Sequence, residues 1–256
     1  INQVICYLNK QFSIKDLGEL SYFLGIEVKR TNDNKLHLCQ KKYISEILIK
    51  ERMDKANPLP TPMTSSSHLS KTKGEPIENE KLYRSIVGAL QYATITRPDI
   101  SFCVNKVSQF MQQPLDDHWK SVKRILRYLK GTINQGLTLH ASKTLNINGY
   151  TDADWATDSD DRRSTTGYCI FLGKNPISWC AKKQPTVSRS STEAEYRSVA
   201  SATVEIMWVE SLLTELQIKT DTTAIIWCDN LSTISLTANP VLHSRKKHIE
   251  LDLYFV

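Results

Sequence analysis

Hydrophobic spacing divides the first half of the chain into a mixed segment, a loop and a helical segment. Apolar positions predict a helix over residues 1–12, a β-hairpin from LSYFLGIEVKR and KLHLCQ around the polar turn TNDN, and a helix in KKYISEILIKER. Residues 56–80 contain four prolines, many Ser and Thr and few apolar side chains, which predicts a linker or long loop. Residues 81–135 return to helical spacing, with a break at Arg97-Pro98-Asp99.

The pattern changes to strands from residue 136 onwards. GLTLH and LNINGYTDADWA predict two strands, TTGYCIFLG and PISWCAKKQ predict a hairpin, and a long helix follows over 191–216. A strand in TAIIWCD, a short helix in NLSTISLTA and a last helix in KKHIELDLYFV complete the chain. This order predicts an α/β domain over residues 136–256.

Acidic residues occupy two positions where a buried pattern predicts other residue types. Alternation along strand 145–155 places Asp152 and Asp154 together on one face, although Asp is unfavourable in strands and like charges repel. Glu195 precedes Val199 by four residues and so lies on the apolar stripe of helix 191–216. The alternative for Glu195 is that a first-turn carboxylate merely interacts favourably with the helix dipole.

Further acids lie towards the end of the chain. Asp229 ends the strand in TAIIWCD, where it could equally be the N-cap of the next helix, and the last helix offers Glu250 and Asp252. Carboxylates from several separate elements are what a pair of Mg²⁺ ions needs, because Mg²⁺ prefers oxygen ligands and two ions can activate water in phosphodiester cleavage. The chain has neither H-E-x-x-H nor a P-loop sequence, so those two motifs give no support to zinc protease or P-loop NTPase chemistry.

Charge is unevenly distributed along the chain. Residues 1–140 contain 21 Lys and Arg against 13 Asp and Glu, a balance of +8, whereas the remainder carries −2. The helix in HWKSVKRILRYLKGT concentrates five cations beside an apolar stripe: Lys120, Lys123, Arg124, Arg127 and Lys130. Phosphate contact and an ordinary solvated helix face are the two interpretations of this cluster.

Cysteine spacing and the N-terminal residues point to an intracellular protein. The six cysteines show no C-x-x-C spacing, which argues against a zinc site or a disulfide framework. No apolar run is long enough to span a membrane, and no secretory signal is present, so we expect no membrane partner. The chain starts with Ile, which suggests a fragment of a longer protein.

Long motifs in the second half resemble a known family. GYTDADWATDSDDRRSTTGYCIFLG, ISWCAKKQPTVSRSSTEAEYRSVA and CDNLSTISLTANPVLHSRKKHIELDLYFV are similar to the ribonuclease H domain of copia-type LTR retrotransposon Pol polyproteins. Upstream, KDLGELSYFLGIEV, YRSIVGALQYATITRPDISFCVN and KRILRYLKGT resemble the end of the reverse transcriptase of that family.

The resemblance implies a fold and a domain order. The expected fold is an α/β, ribonuclease H-like mixed sheet with flanking helices, preceded by a mainly helical region. Residues 1–55 would be the end of the reverse transcriptase palm, 56–80 a linker or long loop, 81–135 the thumb or connection region, and 136–256 the ribonuclease H-like domain.

The resemblance also implies the catalytic and metal-binding residues. They fall on Asp152, Glu195, Asp229 and Glu250, the last replacing the Asp of the family's H-I-D. Asp152 would bridge two Mg²⁺ ions, or Mn²⁺ ions, with Glu195 and Asp229 on one ion and Glu250 on the other. Asp252 would be a reserve ligand. His243 and His248 would be accessory residues that aid product release, or else phosphate or structural contacts.

The implied activity is Mg²⁺-dependent endonucleolytic cleavage of RNA in RNA–DNA hybrids. Phosphates of the hybrid would contact the five helix cations together with Lys182, Lys183 and Arg189. Further implied partners are the rest of the Pol polyprotein, including the palm and integrase, and the implied location is a cytoplasmic particle or the nucleus. DNA polymerisation is not expected, since no aromatic-x-Asp-Asp turn occurs between predicted strands. An inactive truncated relic and a non-catalytic nucleic-acid clamp are the alternatives.

Overall fold

The computed structural model describes residues 2–12, 14, 18–64, 68–220 and 222–238. The helices in this part of the chain are α1 (Asn2–Gln11), α2 (Lys41–Lys50), α3 (Glu80–Ala93), α4 (Ser101–Ser108), α5 (Asp116–Gly131), α6 (Ser191–Glu215) and α7 (Leu231–Ala238), with a 3-10 helix over Pro98–Ile100. The strands are β1 (Tyr22–Phe23), β2 (Ile26–Arg30), β3 (Leu36–Cys39), β4 (Leu137–Leu139), β5 (Ile147–Asp154), β6 (Thr165–Leu172), β7 (Asn175–Lys183) and β8 (Ile225–Trp227). None of the described helices is long and apolar enough to cross a membrane.

The first sheet is antiparallel, in the order β1-β2-β3-β4. The predicted hairpin is present as β2 and β3, and Asn34 supports its turn with a left-handed φ of 61°, a conformation that Asn tolerates well. The apolar run LSYFLGIEVKR is broken at Leu24-Gly25 into β1 and β2, so it forms a second small hairpin.

Strand β4 belongs to the first sheet, although its position in the sequence predicted that it would belong to the second. GLTLH was expected to open the domain at 136–256, but Leu137 and Leu139 pair with Leu38 and Leu36 of the first sheet. Gly136 permits this approach, because a Cβ there would lie 2.1 Å from the carbonyl oxygen of Leu38. Local alternation predicts a strand but not its partner, and this expectation was therefore wrong.

Helices α2 to α5 bury the larger apolar core of the molecule. Tyr83, Leu90, Val107 and Leu126 are among its members, and every one of them is fully buried. Leu69, from the predicted loop, also enters this core. The described residues of 56–79 contain no helix or strand, as expected for a loop, but the segment is held against α5 by hydrogen bonds such as Leu59 N–H to Arg127 O.

The second sheet has the order β7-β6-β5-β8, with three antiparallel strands and β8 parallel to β5. Helix α6 lies in the chain between β7 and β8 and packs on β5 and β6 through Ile147, Ile170, Ala202, Ile206, Val209 and Leu213. Gly149 allows close packing, since a Cβ there would lie only 3.1 Å from Cδ1 of Ile206. The predicted α/β fold class is confirmed at this level.

Polar contacts join the second sheet to the helical half of the molecule, which comprises helices α2 to α5. On β7, Ser178 donates to Glu205 of α6, whereas the neighbouring Trp179 donates through Nε1 to the carbonyl of Thr94 at the end of α3. Lys106 of α4 lies 3.3 Å from Asp158 in the loop after β5. A hydrogen bond from Trp179 and a largely buried ion pair of Lys106 therefore connect the two halves.

Candidate metal centre

Strand β5 supports two acids on its solvent-facing side. Its odd-numbered positions from Ile147 to Ala153 are buried, whereas Asp152 and Asp154 are exposed. The alternation expected from the sequence is thereby confirmed for the described strand. The parallel neighbour β8 pairs with β5 up to Trp227, which brings the residues that follow β8 towards the same end of the sheet.

The first turns of α6 place a carboxylate against this strand end. Ser190 caps the helix by accepting a hydrogen bond from Glu193 N–H, as the capping pattern predicted. Glu195 is 6% exposed and lies on the sheet-facing side, as its phase with Val199 predicted. A favourable helix dipole alone does not require burial, so that alternative does not account for the position of Glu195.

Asp152 and Glu195 converge on one backbone donor. Ala153 N–H lies 2.9 Å from Asp152 Oδ1 and 3.2 Å from Glu195 Oε1. Ser198 secures this junction by donating from Oγ to the carbonyl of Asp152 at 2.7 Å. The arrangement fixes two carboxylates side by side at the contact between β5 and α6.

Asp229, two residues after the end of β8, completes the cluster. Ligand atoms of Glu195, Cys228 and Asp229 all lie within 4.8 Å of one another. The N-cap alternative for Asp229 is excluded, because Asn230 accepts the hydrogen bond from Thr233 N–H at the start of α7. Glu195 therefore lies between two predicted acids: it shares the Ala153 N–H donor with Asp152, and it lies within 4.8 Å of Asp229.

Burial and mutual repulsion dominate the electrostatics of the cluster. Burial, followed by the charges of Asp152 and Asp229, raises the pKa of Glu195 to about 7, although the Ala153 N–H acts in the opposite direction. Burial and the nearby Asp152 raise the pKa of Asp154. Burial is also the main cause of a raised pKa at the Cys228 thiol, to which the three acids of the cluster add.

The donor set fits a hard divalent cation. Glu195 Oε2 is buried and receives no hydrogen bond, and none of the ion pairs within the described part of the chain involves Asp152, Glu195 or Asp229. Adjacent carboxylates without a positive partner are unfavourable unless a cation or a proton compensates them. Oxygen donors from three elements are the set that Mg²⁺ or Mn²⁺ accepts.

Cys228 is the member of the cluster that the sequence did not suggest. It was interpreted only as one of six reduced thiols, and all six are free cysteines in the structure. Its position directly before Asp229, after a strand, was the available signal. Ser198 was also missed, because a small polar residue in a helix gives no indication of its partner.

Most cations on α5 are already engaged within the protein. Lys120 pairs with Asp116 and Asp117, while Arg124, Arg127 and Lys130 donate to Thr61 Oγ1, Asn57 O and Ala56 O. Lys123 is exposed and lies over the ring of Trp119 at 5.4 Å. Residues 56–61 therefore engage three of the five cations that were expected to contact phosphate.

The remaining predicted phosphate ligands differ in exposure. Lys182 and Arg189 are exposed, but Lys183 forms ion pairs of 2.9 Å with both Asp158 and Asp161. Glu250, Asp252, His243 and His248 lie outside the described residues, and their roles stay predictions.

Two aromatic side chains near the acidic cluster are exposed. Tyr150 is 51% exposed and Trp155 is 49% exposed. Tyr150 stacks on Trp227 on the outer sheet face, and Trp155 follows the end of β5, where alternation no longer applies. The pair Asp116-Asp117 begins α5, whereas Asp160-Asp161 lies in the loop that joins the antiparallel strands β5 and β6. This loop is not an aromatic-x-Asp-Asp turn, because Asp158 occupies the position of the aromatic residue.

Comparison with known proteins gives matches along nearly the whole chain. Residues 1–65 match the family model described as reverse transcriptase (RNA-dependent DNA polymerase). The retrovirus-related Pol polyprotein from transposon RE1 of Arabidopsis thaliana is 52% identical over 249 residues, which cover 97% of this chain and 17% of that protein. The corresponding polyprotein from transposon TNT 1-94 of Nicotiana tabacum is 39% identical over 97% of this chain and 19% of its own length.

A shorter relative matches over most of its own length. The uncharacterized mitochondrial protein AtMg00810 of Arabidopsis thaliana is 49% identical over 208 residues, which cover 81% of this chain and 86% of that protein. By contrast, the chain spans less than a fifth of each of the two Pol polyproteins compared above.

Proposed function

The chain belongs to the copia-type retrovirus-related Pol polyproteins, of which it matches one segment, and we propose that this segment contains a ribonuclease H-type endonuclease. Its substrate would be the RNA strand of an RNA–DNA hybrid, and its cofactor would be Mg²⁺, with Mn²⁺ as a substitute. The convergence of Asp152, Glu195 and Asp229 is the observation that carries this proposal.

The sheet topology supports a ribonuclease H-like fold. The strands have the order β7-β6-β5-β8. Strands β7, β6 and β5 are antiparallel to their neighbours, and β8, which follows the long helix α6 in the chain, is parallel to β5. This mixed sheet with α6 on one face agrees with the architecture that the sequence resemblance implies. The acids lie where β5, β8 and the first turns of α6 meet.

The side chains of the cluster divide the work between binding and positioning. Asp152 and Asp229 are exposed and would provide carboxylate oxygens to the cation, whose positive charge would offset their repulsion of the approaching phosphodiester. Glu195 would add its unpartnered Oε2 from the buried side, while the Ala153 N–H holds Oε1 in place. Bound Mg²⁺ would supply a lowered pKa for the attacking water and charge stabilisation for the departing oxygen.

Substrate binding would depend on exposed charge. Lys182 and Arg189 are exposed and flank the segment that leads into α6, so they are the leading phosphate contacts. Discrimination of RNA from DNA would use the 2′-hydroxyl and the groove shape of the hybrid rather than base sequence. The rest of the polyprotein would supply the remaining partners, including the palm.

A cleavage assay tests the proposal. The 256-residue chain is incubated with an RNA–DNA hybrid labelled on the RNA strand, with Mg²⁺ or with a chelator. We expect internal RNA cuts only with Mg²⁺, and loss of about 10³-fold or more in rate for Asp152→Asn, because a charged cation ligand is removed. Hybrid binding without cutting would favour the clamp or relic alternatives, and cutting by Asp152→Asn would contradict the assigned site.

A further inference from the structure

A thiol stands among the oxygen donors of the acidic cluster. Cys228 follows the last residue of β8, and its Sγ lies within 4.8 Å of carboxylate oxygens of both Glu195 and Asp229. The Cys228 side chain is half-buried, Glu195 is buried and Asp229 is exposed, so the group opens to solvent on one side. A cation could therefore enter from the Asp229 side.

A second observation points to a ligand at this position. Glu195 is 6% exposed, and its Oε2 atom receives no hydrogen bond. Ala153 N–H donates to the other oxygen, Oε1, and the neighbouring Asp152 carboxyl lies within hydrogen-bonding reach of the Glu195 carboxyl. A buried acceptor left in this way is costly, and a coordinated cation would satisfy it.

The chemistry of the three donors differs from that of a purely acidic site. Mg²⁺ takes oxygen ligands and has little preference for sulfur. Zn²⁺ and Cd²⁺ accept thiolate and carboxylate together, and a thiolate strongly favours such soft or borderline ions over Mg²⁺. The three donors leave a fourth position that water could fill.

We propose that Cys228, Glu195 and Asp229 form a site for one thiophilic divalent cation, with Zn²⁺ and Cd²⁺ as its ligand class. On binding, a metal–sulfur bond forms, the S–H bond breaks and its proton passes to solvent. Because Glu195 and Asp229 are shared with the site proposed for Mg²⁺, Zn²⁺ competes with Mg²⁺ and inhibits cleavage. The competition rests on the proposed function, whereas the cation site itself does not.

Cd²⁺ provides a readout that is independent of activity. The reduced, Mg²⁺-free 256-residue chain is titrated with CdCl₂, and the ultraviolet cadmium–thiolate charge-transfer band is recorded. We expect Cys228→Ser to lose the tightest phase of the titration and Asp229→Asn to weaken it by about tenfold or more, because a ligand is removed in each case. Cys169→Ser is the matched control, since Cys169 is also half-buried but is not part of the cluster.

Zn²⁺ inhibition tests the competition. The Zn²⁺ concentration that halves Mg²⁺-dependent cleavage should rise with Mg²⁺ in the wild type and should be about tenfold higher or more in Cys228→Ser. Circular dichroism verifies that each variant is folded. A Cd²⁺ titration of Cys228→Ser identical to that of the wild type would overturn the site. A Cys228-dependent Cd²⁺ band in a chain that never cleaves hybrid would uphold the site and reject the nuclease.

Discussion

Glu195 connects the fold to the proposed chemistry at the scale of a single residue. Its burial against β5 and the neighbouring charges of Asp152 and Asp229 raise its pKa to about 7, compared with an ordinary value of 4.5. In the metal-free protein the native state therefore binds a proton more tightly than the unfolded chain does. The stability that this proton contributes is fully present below pH 4.5 and is lost as the pH rises through 7.

Glu195→Gln should remove that dependence. This shift of the Glu195 pKa lowers the free energy of unfolding of the wild type by roughly 2–3 kcal/mol between pH 5 and pH 8. The free energy of unfolding of Glu195→Gln should not show this loss, so the variant should become more stable relative to the wild type by about that amount at pH 8 in the presence of a chelator. Urea unfolding at the two pH values measures it, with Glu215→Gln, an exposed position on α6, as the control. Identical pH profiles for the wild type and Glu195→Gln would contradict the assigned environment.

Helix α5 illustrates how an element can be predicted correctly while its role is not. Its amphipathic pattern and its cations were evident in the sequence, but the 56–64 segment that accepts hydrogen bonds from Arg124, Arg127 and Lys130 was not. Contacts across more than 60 residues leave no periodic signal. The same limit explains β4, whose alternation predicted a strand but not its pairing with β3.

Exposed and engaged cations should respond differently to mutation. Lys182→Gln and Arg189→Gln should each weaken hybrid binding and reduce the salt dependence of log K by about one, as expected for a lost phosphate contact. Arg124→Gln should instead lower stability by about 1 kcal/mol, because it loses a hydrogen bond to Thr61. Binding titrations over a KCl series without divalent cations measure the slopes, and a larger slope change for Arg124→Gln would contradict this distinction.

Across the whole molecule, Asp158 joins the helical half to the second sheet. Its side chain is 4% exposed and pairs with Lys106 of α4 at 3.3 Å and Lys183 of β7 at 2.9 Å. Although burial opposes ionisation, the hydrogen bond from Lys183, those from the backbone N–H groups of Asp160 and Asp161, and the charge of Lys106 hold the pKa of Asp158 well below its usual range. The positions of Asp152 and Glu195 could be predicted because strand and helix phase are local, whereas this long-range link leaves no local pattern.

Asp158→Asn should destabilise both halves together. Removing one member of a buried ion-pair network leaves Lys106 without its partner and Lys183 with Asp161 alone, with an expected cost of about 3–5 kcal/mol at pH 7. Because the native pKa of Asp158 is depressed, the contribution of its carboxylate is present above the ordinary Asp pKa of about 3.9 and falls as the pH drops below it. Urea unfolding between pH 7 and pH 3.5 measures the difference, with the exposed Asp54→Asn as control. A cost below that of the control variant would contradict the link.

Direct titration with Mn²⁺ tests the central claim that Asp152, Glu195 and Asp229 hold a divalent cation together. Electron paramagnetic resonance of free Mn²⁺ gives the bound fraction without any need for activity. We predict that Asp152→Asn, Glu195→Gln and Asp229→Asn each weaken Mn²⁺ binding by about tenfold or more, whereas Asp154→Asn, on the same face of β5, has a smaller effect. Unchanged Mn²⁺ binding in all three variants, or a loss confined to Asp154→Asn, would contradict the account.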